Sequence, residues 1–68
     1  MIMCATVTGT EDGRLLVMNE ANQQEVAVNT CCTNFNQGER VKIIYNGMMT
    51  FSLPPQITAK KIIRLNCN

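Results

Sequence analysis

Six residues, RVKIIY at Arg40–Tyr45, constrain this chain more than any other stretch. Val41, Ile43 and Tyr45 fall on one side and Arg40, Lys42 and Ile44 on the other, which is the period of a strand with one buried face. A lone strand or hairpin is marginal in water, so the other residues of the chain must supply partners. Asn46-Gly47 follows at once and favours positive φ, which ends the strand or folds it over. Residues 48–53, MMTFSL, alternate again and are a candidate short extra strand. Pro54-Pro55 stops that run, because neither residue can donate to a ladder.

The partners can be read in the same terms. Residues 2–9 form a first strand, in which Met3, Ala5 and Val7 alternate with Cys4, Thr6 and Thr8; Val7 is the inward anchor. GTEDG at 9–13 is a turn with an Asp-Gly pair. Residues 14–18 form a second strand, antiparallel to the first across the short loop. Its Leu15, Leu16, Val17 and Met18 are continuously apolar, so period does not choose a face. The polar connector at 19–24 is too short for a stable helix and has no apolar stripe. Residues 25–29 form a third strand with Val26 and Val28 on one face. Residues 30–37, TCCTNFNQ, are irregular, and Phe35 is expected to plug an end of the core. The last strand covers 57–65, where the doublets Lys60-Lys61 and Ile62-Ile63 break the alternation and predict a bulge near Lys60. Five strands without an amphipathic helix make an all-β, antiparallel domain over residues 1–68. Closing it into a small barrel hides the apolar face and removes bare edges.

One segment also carries a family resemblance. The pattern Gly38-x-x-Val41-x-Ile43-x-Tyr45-Asn46-Gly47, then Thr50, Ser52, Pro54-x-Gln56-Ile57-x-Ala59-x-x-Ile62, covers about a third of the chain. It resembles a family of short bacterial domains of unknown function found in small proteins and secreted lipoproteins of Firmicutes. The resemblance implies a five-stranded barrel like the oligonucleotide/oligosaccharide-binding (OB) fold, and it implies no activity. Two departures stand out. The chain is expected to lack the exported leader of the lipoprotein members, and no helix signal lies between the third and fourth strands, so the barrel is expected in reduced form.

Composition narrows the function classes. Only Tyr45, Phe35 and Phe51 are aromatic, so the core is aliphatic. A net charge of +1 gives no bulk attraction to nucleic acid or acidic lipid. Residues 1–39 set Glu11, Asp12, Glu20, Glu25 and Glu39 against Arg14, for −4; residues 40–68 carry Arg40, Lys42, Lys60, Lys61 and Arg64 and no acid, for +5. In a barrel the halves interleave, and the expectation is a mixed, solvated surface. No run approaches the ~18 apolar residues of a membrane span. Only Met1 to Met3 precede Cys4, so the expected compartment is the cytoplasm, with reduced thiols. A secreted protein whose leader had been removed would read the same way.

Catalytic groups are scarce. There is no His, Glu11-Asp12 sits in a turn where solvation is the simple account, and no glycine-rich phosphate loop occurs. Neither catalysis nor a cofactor is expected. Cys31-Cys32 lacks the two-residue gap of a zinc knuckle, so no metal is expected. A Cys4–Cys67 disulfide is conceivable, but a reducing compartment opposes it, and the four cysteines are expected to serve as buried or half-buried small apolar residues. Binding is the better-supplied class. Met48, Met49, Phe51 and Leu53 cannot all point inward from an extended segment, so apolar surface is expected around residues 46–56. With Lys42 and Lys60 they are the candidate binding residues, for a protein partner or for self-association. The simpler account has Met48 and Phe51 capping the barrel with nothing bound. The alternative ligand is single-stranded nucleic acid or oligosaccharide on the barrel face. It would need Phe51, Tyr45 and Phe35 as platforms beside the basic residues, yet Tyr45 belongs to the core by its register.

Overall fold

The computed structural model describes residues 1–65. It contains five strands: β1 (Ile2–Glu11), β2 (Arg14–Asn19), β3 (Gln24–Asn29), β4 (Arg40–Tyr45) and β5 (Gln56–Arg64). They close into a barrel in the order β1-β2-β3-β5-β4, with β4 returning to β1. This is an OB-like barrel, and none of its described residues is helical.

Four of the five pairings are antiparallel, and β3 runs parallel to β5. The expectation of a wholly antiparallel barrel is corrected by parity. Directions cannot alternate all the way round a ring with an odd number of strands, so one neighbouring pair must run the same way. That pair is also the narrowest, with three partnered positions: Ala27 with Gln56, Val28 with Ile57 and Asn29 with Thr58.

The core follows the period-2 pattern. Met3, Ala5, Val7, Leu15, Val17, Val26, Val28, Val41, Ile43, Tyr45 and Ile57 are buried together. The ambiguous apolar run in β2 resolves into Leu15 and Val17 inward, with Leu16 half-buried and Met18 exposed. Two bulges keep the barrel in register. One leaves Thr8 unpaired between Val7↔Val17 and Gly9↔Leu16. The other leaves Lys60 unpaired between Ile44↔Lys61 and Tyr45↔Ala59, where the lysine and isoleucine doublets predicted it.

The connector at 30–39 spans from β3 to β4 without a helix. Phe35 packs against the core from this connector, with the Arg64 guanidinium 4.6 Å from its ring centroid. Arg64 also bonds Glu39 Oε2 and the Asn34 carbonyl, both at 2.6 Å. Arg40 pairs with Glu20 through two contacts of 2.8 and 2.9 Å. Both ion pairs join an acid of the first half to a base of the second, so the charge asymmetry of the sequence is partly cancelled in space. Among the described residues no helix is long and apolar enough to cross a membrane.

The candidate extra strand at 48–53 does not form. Both edges of β4 are already taken, by β1 and by β5, so no ladder is open to a strand folding back from it.

Candidate interaction surface

The surface begins where β4 ends. Gly47 takes φ +92°, a conformation L side chains rarely adopt, and the Met48 N–H donates to Asn46 Oδ1 (3.0 Å). The chain then leaves the barrel wall, and a short network braces it. The Thr50 N–H donates to the Gln56 carbonyl (3.0 Å), and the Gln56 N–H donates to Thr50 Oγ1 (2.9 Å). Thr50 Oγ1 and Ser52 Oγ lie 2.6 Å apart, and Ser52 donates to the Pro54 carbonyl (2.9 Å). The Leu53-Pro54 peptide is cis. Pro55 is buried, and its carbonyl accepts from the Ala27 N–H (2.9 Å), which ties the loop's far end to β3.

Four apolar side chains ride on this frame and have two fates. Met49 turns in and packs against the core, whereas Met48 stays 73% exposed. Phe51 and Leu53 stand wholly in water, at relative exposures of 104% and 95%. Neither Met48 nor Phe51 caps the barrel. Two open clefts flank the loop. One, of about 390 Å³, lies between Met48, Met49, Ile57 and Asn29; the other, of about 320 Å³, lies between Met49, Phe51, Leu53 and Gln24. Met49 and Thr50 border both, so the braced turn is a ridge with apolar walls on either side.

The two lysines grouped with the loop by sequence line neither cleft. Lys42 is half-buried on β4, level with Cys4 of β1 and Ile63 of β5. Lys60 is the exposed bulge residue and borders a different cleft, beside Cys31 and Cys32. The staples of the loop, Thr50, Ser52 and Gln56, escaped sequence reasoning. The only local signal for them was a run of hydroxyl residues ahead of two prolines, and its pairing with Gln56 depends on where the loop returns.

The cysteines require a correction. Cys4, Cys31 and Cys32 are free thiols and exposed, not buried or half-buried. Cys4 alternates with the inward Met3 and Ala5 and so faces outward, and the pair at 31–32 sits on the irregular connector. Cys67 lies outside the described residues, and with it any Cys4–Cys67 disulfide. Among the described residues no three metal-ligating side chains gather.

The aromatic platforms a strand-binding face would need are mostly spent elsewhere. Tyr45 is 7% exposed in the core, and Phe35 is half-buried beside Arg64. Two carboxylates near the basic residues are perturbed. The Arg40 hydrogen bond holds Glu20 below its ordinary value. The Asn36 N–H, and after it Arg64, does the same for Glu39. Glu11 and Asp12 are exposed in the β1–β2 turn. Comparison of the chain with protein-family models, with curated proteins and with solved structures finds no match.

Proposed function

We propose that this chain is a non-enzymatic interaction domain whose β4–β5 loop is a protein-contact surface. The observation that carries the reading is the exposure of Phe51 and Leu53 on a loop braced by its own hydrogen bonds. Large apolar side chains held in water mark contact surfaces when they cluster. A braced loop loses little conformational freedom on binding, so more of its burial energy becomes affinity. Met48 adds adaptable surface at the rim. The missing His and the solvated Glu11 and Asp12 support a role without catalysis. The alternative of single-stranded nucleic acid or oligosaccharide binding has less support, since Phe51 is the one aromatic ring free to stack. We also propose kinship with the Firmicutes family, which contributes a fold and no activity.

Sedimentation velocity at micromolar concentration tests self-association, and a quantitative pull-down from the native cell tests a separate partner. In either case Phe51→Ser and Leu53→Ser abolish the association while the barrel stays folded. A monomer whose captured proteins are the same with and without these substitutions defeats the reading. Met49 is unsuited to this test, because it packs against the core.

A further inference from the structure

The β3–β4 connector holds a second feature, unrelated to the apolar loop. Cys31 and Cys32 are adjacent, and both are exposed and free. Adjacent side chains in an extended chain point to opposite sides, yet here the two Sγ atoms are 3.5 Å apart. The turn responsible is held by the Cys32 N–H, which donates to Thr30 Oγ1 (3.2 Å). The thiols open into a cleft of about 280 Å³ bordered by Phe35, Ala59, Lys60 and Lys61.

We infer that Cys31 and Cys32 form a dithiol chelate for a soft, thiophilic centre that binds through two sulfurs, of the class of a trivalent organoarsenical. The spacing selects this chemistry. Consecutive Cα atoms are about 3.8 Å apart, closer than the roughly 4.4–6.8 Å a relaxed disulfide spans, so a direct S–S bond between these neighbours is strained, whereas the two sulfurs rest 3.5 Å apart. One soft atom bonded to both, with bonds of about 2.3 Å as in metal thiolates, spans that gap at close to a right angle. A zinc ion wants four ligands, and the described residues offer no third beside the pair. The hydrogen bond shared with Cys31 pushes the Cys32 thiol up. Arsenical capture needs no free thiolate at the outset. An arsenic-bound oxo group leaves as water with both thiol protons, two As–S bonds replace the arsenic–oxygen bonding, and arsenic stays trivalent.

The test uses the full, reduced chain titrated with phenylarsine oxide and followed by intact mass. One adduct forms, heavier by the reagent less one water. It survives an excess of a monothiol such as glutathione and is removed by the dithiol 2,3-dimercaptopropanol. Cys31→Ser and Cys32→Ser each lower the resistance to monothiol on the order of 100-fold, because the second bond is no longer intramolecular. Cys4→Ser and Cys67→Ser leave it unchanged. All four replacements are conservative, and circular dichroism confirms that each variant is folded. An adduct that persists in Cys31→Ser or Cys32→Ser, that requires Cys4 or Cys67, or that monothiol strips from the unsubstituted chain overturns the inference.

Discussion

The two long irregular segments of the barrel, residues 30–39 and residues 46–55, treat their aromatic side chains in opposite ways. The first tucks Phe35 against the core beside Arg64. The second holds Phe51 in water. Both carry a glycine with positive φ one residue from an end, Gly38 at +93° and Gly47 at +92°. They differ in how they are pinned. The connector adds charge to its backbone bonds, such as the Gly38 N–H to the Val7 carbonyl (2.8 Å), through Glu39, Arg64 and the Asn36 N–H, which donates to Glu39 Oε1 at 2.8 Å. The loop is fixed by neutral groups, the Thr50 and Ser52 hydroxyls and backbone amides. An aromatic ring on a non-repetitive segment is therefore core or surface according to where the anchors set the backbone, and its own hydrophobicity does not decide the matter.

The largest effect expected from this contrast is on stability. Phe35→Ala lowers the free energy of unfolding in urea by about 2 kcal/mol through lost packing, while Phe51→Ala changes it by no more than about 0.5 kcal/mol. Equal losses would erase the distinction. A smaller effect isolates the loop. Thr50→Val removes the acceptor of the Gln56 N–H and costs about 1 kcal/mol locally, visible as faster hydrogen exchange at the Gln56 amide with the connector amides unchanged. The smallest effect is the pH response. Glu39 has a folded-state value below its unfolded one, so its contribution is fully present above the ordinary carboxylate range. It fades as pH falls through the lowered value. Protection of the Asn36 amide should decline over that acidic window, and Glu39→Gln should flatten the decline. The Gln56 amide, held by a hydroxyl, should show no such window. A matching acid response at both amides would mean that the two segments are not pinned by different chemistry.

Much of the barrel was legible because strands write their burial locally. Arg40–Tyr45 alternates in sequence and in burial alike. The bulge at Lys60 was legible because one extra residue shifts a period-2 pattern by half a cycle, and the doublets record the shift. The bulge at Thr8 leaves no such mark, since Thr8 and Gly9 are small and suit either face. In β2 the uncertainty had a different origin. Leu16 lies outside the barrel but is only half-exposed, near Pro54 and Ala27, so both faces of the strand favour apolar residues. The parallel β3–β5 pair was implicit in the strand count, although no residue announces it. In the candidate site, the excess of apolar side chains at 48–53 was readable, but the division between Met49 inward and Phe51 outward was not. That division depends on hydrogen bonds closing over six positions, from Thr50 to Gln56. The cysteines misled for a related reason. A small thiol sits as readily on the outside of a strand as inside, and only the register at Cys4 or the turn at Thr30 decides which.

The three-position seam between β3 and β5 bears on how this barrel can fail. Before β5 is available, the other strands can form only an open sheet in the order β3-β2-β1-β4, with a bare edge at each side. The fifth strand is a keystone: it pairs with β4 at five positions and with β3 at three. Any state in which β5 is undocked therefore exposes two adhesive flanks, and it is in that state that neighbouring chains are most apt to stick to one another.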